Sequence, residues 1–155
     1  MKKAFTDLEQ SKKLAEILPL ESADMWWAER YEGHIGDNGE YVVAENPYYY
    51  LSLTKPSDTN YSQDVIHDIP CYSLAALIEV LPVDWWGYSE HYFLEISKMG
   101  DASSPNEVRY FRFRKEIDGA NYDRITHISH SAENLVDACV NMIITLHDHK
   151  LLSIK

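Results

Sequence analysis

The stretch around which the pattern is organised is Ile69 to Trp86, IPCYSLAALIEVLPVDWW, where Cys71, Leu74, Leu77, Ile78 and Leu81 recur at helical intervals. Pro70 or Ser73 marks its start and Pro82 its stop, with only Tyr72, Ser73 and Glu79 polar between them. A helix apolar on most sides is expected to be buried against at least two other elements, so this one is predicted to form the centre of the core. A second seam, Leu135, Ala138, Cys139, Met142, Ile143 and Leu146, widened by Val136, Val140 and Ile144, predicts a helix from Ala132 to about His149, capped by Ser131. Near the N-terminus, Thr6 with Glu9 has the form of a capping box. Leu8, Ser11, Leu14, Ala15, Ile17 and Leu18 then line one side of an amphipathic helix whose other side carries Lys12, Lys13 and Glu16, and Pro19 ends it. Glu21 to Asp24 predicts a further short turn carrying Met25, Trp26 and Trp27.

Between these helices the pattern is that of strands and turns. Asp37-Asn38-Gly39 is a tight-turn signal ahead of Tyr41, Val42 and Val43, and predicts a hairpin. GHIGDNG lacks the lysine and hydroxyl residue of a phosphate-binding loop. Tyr48 to Thr54 reads as a strand, Lys55 to Asn60 as an exposed loop, and Tyr92 to Lys98 and Val108 to Lys115 as an antiparallel pair about the turn Gly100 to Asn106. Asp118-Gly119 is a further turn signal before a last short strand, Tyr122 to Ser129. Strands in runs, rather than alternating with helices, indicate an α+β fold: one domain spanning 1–155, with an antiparallel sheet of about four or five strands, two largely buried helices and an N-terminal amphipathic helix. An internal echo crosses this order. Leu14-Ala-Glu-Ile-Leu-Pro19 matches Leu77-Ile-Glu-Val-Leu-Pro82, and Asp24-Met-Trp-Trp27 matches Asp84-Trp-Trp86.

A chain of 155 residues is long enough to hold one core without disulfide or metal. Its two cysteines, Cys71 and Cys139, lie in apolar contexts and read as buried thiols of a reducing compartment. The start of the chain reaches Asp7 and Glu9 before any apolar run, and no stretch is apolar for the ~18 residues of a spanning helix, so a cytoplasmic protein without membrane association is expected. The net charge of −11 argues against direct binding to a phosphate backbone. Its distribution is uneven: Glu16 to Asp101 holds sixteen acids against Arg30, Lys55 and Lys98. This is a solvating surface, or alternatively an acidic face that mimics nucleic acid and blocks a DNA-binding enzyme.

The chemistry-bearing groups are few. His127, His130, His147 and His149 have metal-ligand character, but strand and helix geometry turns the members of each pair to different sides, and no cofactor is expected. Arg112 and Arg114 alternate with Phe111 and Phe113, which sets rings and guanidinium groups on opposite faces and disfavours a nucleic-acid platform. Cys71 has no histidine nearby to activate it. Asp84 and Glu90, beside Trp85, Trp86, Tyr88 and His91, are the most suggestive group, because aromatic walls raise a carboxylate pKa and stack a sugar. They leave a small hydrolase or sugar-binding protein as an alternative.

Glu9 to Leu14, Leu20 to Met25, Ile69 to Leu77 with Leu81-Pro82, and Asn134 to Cys139 through Met142 to Leu152 together resemble uncharacterised small proteins of gut Bacteroidales genomes, often associated with prophage or other mobile elements. The resemblance covers most of the chain and implies a compact α+β fold and a phage context. It brings no activity with it. With no nucleophile, base and oxyanion donor together, the first expectation is a non-enzymatic binding or accessory protein with a protein partner. Its candidate surface comprises Trp26, Trp27, Asp84, Trp85, Trp86, Tyr88 and Glu90, and its aromatic content is compatible with a homo-oligomer.

Overall fold

The computed structural model describes residues 3–55, 65–87, 90–97, 106–115 and 122–152. Among these are three α-helices and nine strands, all paired antiparallel, so the chain is of the α+β class. The strands form three sheets of three, two and four members rather than one of four or five. The chain divides into two compact units, one of Asp7–Ser73 and the other of Leu74 onward with the residues before Asp7.

The first unit opens with α1 (Leu8–Ala15). Its cap is Asp7 rather than Thr6: the Asp7 carboxylate accepts the Gln10 N–H (2.9 Å) while Gln10 Oε1 accepts the Asp7 N–H (3.3 Å). Thr6 is buried, and a carboxylate one residue later caps as well as a hydroxyl would. α1 packs on β5 (Val65–Cys71), with Leu14 and Leu18 buried. After Pro19 a 3-10 turn, Leu20–Ser22, leads into β1 (Met25–Arg30), where a helical turn was expected. Two adjacent tryptophans cannot both face one core from a helix, and a strand resolves this by sending them to opposite faces. β1 lies between β4 (Tyr48–Ser52) and β5. β2 (Gly33–Ile35) and β3 (Tyr41–Val43) form the expected hairpin, whose turn places Gly39 at φ +81, a left-handed conformation natural to glycine.

Ile69, Pro70 and Cys71 therefore end a strand rather than open a helix. Pro70 is tolerated because β5 is an outer strand of its sheet. The following Ser73 donates its backbone N–H to Asp24 at 2.8 Å, and its hydroxyl to the same carboxylate.

In the second unit, α2 is confined to Leu74–Val80 and stops before Pro82 as expected. Ala76, Leu77 and the trailing Leu81 are buried, but Ala75 and Ile78 are exposed, so α2 is not enclosed on most sides. The helix with the larger buried surface is α3 (Leu135–Asp148), where Val136, Ala138, Cys139, Val140, Met142, Ile143 and Leu146 are buried. α3 packs on α2 and on the last two strands of a meander of β6 (Asp84–Gly87), β7 (Glu90–Ser97), β8 (Asn106–Lys115) and β9 (Tyr122–Ala132), in that order across the sheet. β9 continues through Ser131, so the cap of α3 passes to Asn134, whose side chain accepts the Asp137 N–H at 2.9 Å. At the other end Lys150 takes φ 58, and the N–H groups of Lys150 and Leu151 donate to the carbonyls of His147 (2.9 Å) and Leu146 (2.8 Å), closing the helix as glycine more often does. Among the described residues, no helix is long and apolar enough to cross a membrane.

The echo now has a structural meaning. In each unit a helix and the residues just after it bury two leucines four positions apart, Leu14 and Leu18 or Leu77 and Leu81, a proline follows, and the chain leads to a strand that carries a tryptophan doublet. The expected turns at Lys55 to Asn60, Gly100 to Asn106 and Asp118-Gly119 lie largely or wholly outside the described residues.

Candidate functional site: the aromatic face of the four-stranded sheet

Strand parity decides what β6 presents. Successive side chains alternate between faces and directly opposed residues share one. The pairs Trp86 with His91, Asp84 with Phe93, Phe93 with Phe111 and Phe113 with Arg124 therefore lie on one face of the sheet. Trp85, opposite Tyr92, lies on the other. That other face is the one α3 covers: Val108 and Tyr110 are buried there, and His130, opposite Val108, shares a hydrogen bond with Thr145 of α3 (2.8 Å).

The doublet is thus split. Trp85 is 9% exposed, its ring stacked on Tyr92 (centroids 4.3 Å, 13°) with Tyr110 and His127 against it. It is a packing residue, contrary to its expected place in a binding surface. Trp86 is 73% exposed. One side of its indole stacks on His91 (4.5 Å, 6°), and from His91 the rings continue to Phe93 (4.3 Å), then to Phe111 (6.0 Å) and Phe113 (5.9 Å). Phe113 is 53% exposed, whereas Phe111 lies beneath the Arg124 guanidinium, 4.0 Å from its ring. The result is an aromatic strip across three strands.

The charges on this face are sorted along the strip. At the β6 end, Asp84 Oδ2 and His91 Nε2 share a hydrogen bond of 2.8 Å. At the opposite end Glu95 receives Arg109 (3.1 Å) and Arg124, while Arg109 also meets Glu107 (3.6 Å). Burial pushes the Glu95 carboxyl up, but the hydrogen bonds and charges of Arg109 and Arg124 outweigh it and hold the group below the usual carboxylate range.

Asp84 and Glu90 do not form a carboxylate pair. Glu90 is on the α3 side, where Arg112 and the Tyr92 hydroxyl (3.0 Å) donate to it. The sheet lies between the two acids, which removes the acid–base arrangement a hydrolase would need. Tyr88 lies outside the described residues. Trp26 and Trp27 belong to the first unit, on opposite faces of β1 and both half-buried, with the Lys55 ammonium 5.6 Å from the Trp26 ring. Glu29 accepts the Tyr31 hydroxyl (3.2 Å), Glu40 accepts from Asn38 (2.8 Å) and Asp24 holds Ser73, so many carboxylates of the acidic segment have partners within the chain.

His127 packs on Trp85 and Tyr92, burial holds His130 below the usual histidine range, and among the described residues no three His, Cys, Asp or Glu side chains converge. Cys71 and Cys139 are free and buried, and burial pushes the Cys139 thiol up to about 12, well away from a reactive thiolate. His91, Phe93 and Phe113 were absent from the expected site. The signal for them was available once Trp85-Trp86 is taken as a strand, because alternation then puts Trp86 on one face with every second residue of the neighbouring strands. No protein-family model, curated protein or solved structure matches the chain.

Proposed function

We propose that this is a non-enzymatic binding or accessory protein that docks a protein partner on the aromatic face of its four-stranded sheet, and that it acts in the cytoplasm, in the phage or mobile-element setting its sequence resemblance implies. The observation that supports this reading is the exposure of Trp86 and Phe113 on the same strip. Large rings held out to water on paired strands are pre-organised, lose little entropy on binding, and are the residue types that dominate interface energetics. Both free cysteines are buried, which suits a reducing compartment.

The test is capture from a host lysate by the immobilised full-length protein, compared with a Trp86→Ala/Phe113→Ala double variant of unchanged circular dichroism. The expected result is loss of specific prey with the double variant. The same prey recovered by both proteins would overturn the reading.

A further inference from the structure

Four aromatic rings among the described residues carry a cation from this chain: Tyr49 with Lys12, Tyr50 with Arg30, Trp26 with Lys55 and Phe111 with Arg124. Trp86 stacks on His91, carries no cation among the described residues, and is more exposed than any of the four. Indole is the best of the natural rings at holding a cation over its face. Two positions earlier on the same strand face, about 7 Å away along the backbone, stands Asp84, its side chain 52% exposed. Among the described residues the lysine and arginine side chains of this face are placed elsewhere: Arg109 and Arg124 are bound to Glu95, and Lys115, two residues beyond Phe113, is two strands or about 10 Å across the sheet, while the Asp84 carboxylate is shared with His91 of the same strip. The β6 end of the strip therefore combines an open indole face with a carboxylate, on a chain of net charge −11 that steers cations toward it.

We propose that this end is a receptor for an arginine side chain of a basic partner segment, the guanidinium lying on the free side of Trp86 and facing the Asp84 carboxylate. The proposal rests on the aromatic face being a docking surface and specifies the chemistry of what docks. Arginine suits it better than lysine because a planar guanidinium stacks on an indole while its edge still donates hydrogen bonds. A sugar, which would also stack on an exposed tryptophan, gains nothing from the negative charge.

The test uses the full-length protein and a fluorescein-labelled peptide of arginine, glycine and leucine, against a twin in which every arginine is citrulline, an uncharged mimic of the same shape. Fluorescence anisotropy should show salt-sensitive binding of the arginine peptide and roughly tenfold weaker binding of the twin. Trp86→Ala and Asp84→Asn should each weaken binding several-fold, while Glu79→Gln, which removes an exposed acid of α2, should change it little. Equal binding of the two peptides, or equal effects of Asp84→Asn and Glu79→Gln, would reduce the attraction to general charge and overturn the proposal. If the arginine peptide fails to bind but lysate prey still depend on Trp86 and Phe113, the cation receptor is wrong and the docking face stands. If neither binds, both fall.

Discussion

Glu95 illustrates how single residues set the electrostatics of the sheet. Its carboxylate lies between Arg109 and Arg124, which lower its pKa in the folded state despite partial burial. Because the folded value is below the unfolded one, near 4.3, ionisation favours folding. That stabilisation is complete above the unfolded value and is lost as the pH falls through the folded one. Glu95→Gln should therefore flatten the acid limb of the stability curve below about pH 4.5, at a cost of under about 1 kcal/mol at pH 7 for so accessible an ion pair. Chemical denaturation across pH 3 to 7 checks it, and parallel acid limbs in wild type and variant would show the pairing to be inconsequential. The same scale explains the split tryptophans: Trp85 and Trp86 are chemically identical neighbours, and only the alternation of the strand makes one a core ring and the other a surface ring.

At the scale of elements, the repeated helix–proline–strand device makes a sharp comparison possible. Leu14 and Leu77 are both fully buried, whereas Glu16 and Glu79, at matching places in the echo, are exposed. Leu14→Ala and Leu77→Ala should each cost about 2–5 kcal/mol by lost burial and an unfilled cavity, while Glu16→Ala and Glu79→Ala should stay within about 0.5 kcal/mol. Urea denaturation measures all four. A leucine variant as stable as wild type would show that its helix does not anchor its unit.

The helices were legible because their signals are local: the α3 seam, Pro19 and Pro82 as stops, and the Asp37-Asn38-Gly39 turn all act within a few residues. Caps moved by one to three positions, from Thr6 to Asp7 and from Ser131 to Asn134, because several residues near each helix start can accept a backbone N–H and the tertiary structure chooses among them. β1 was not legible, since its six residues become a strand through pairing with Tyr48–Ser52 and Val65–Cys71, distant in sequence. The candidate site was half-legible for the same reason. Trp86 and Asp84 stand out by type, but their link to His91 and Phe93, and their separation from Glu90, follow from register, which composition does not encode.

For the molecule as a whole, a charge of −11 acts against compaction. Twenty-five acids face fourteen lysines and arginines, so added salt should screen more repulsion than attraction. Raising NaCl from about 0.01 M, where the screening length is roughly 30 Å, to 0.15 M, where it is about 8 Å, is expected to raise Tm by a few degrees, the equivalent of about 1 kcal/mol in a chain of this size. Scanning calorimetry at pH 7 decides it, and a fall in Tm would mean that the specific ion pairs dominate. The same excess of negative charge favours a cationic partner over an anionic one at every distance, which aligns the global field with the chemistry inferred for Trp86.

β9, eleven residues long, is an outer strand of the four-stranded sheet, and among the described residues one of its two edges has no partner strand. An edge of that length is a template on which further chains can add and build fibrils. Asp123 and Arg124 near its start, and the break in its register between Tyr110 and Phe111 on β8, interrupt the flat regular ladder such growth requires. The features that bend and charge this strand thus disfavour edge-to-edge growth, a safeguard suited to a protein with an open aromatic face.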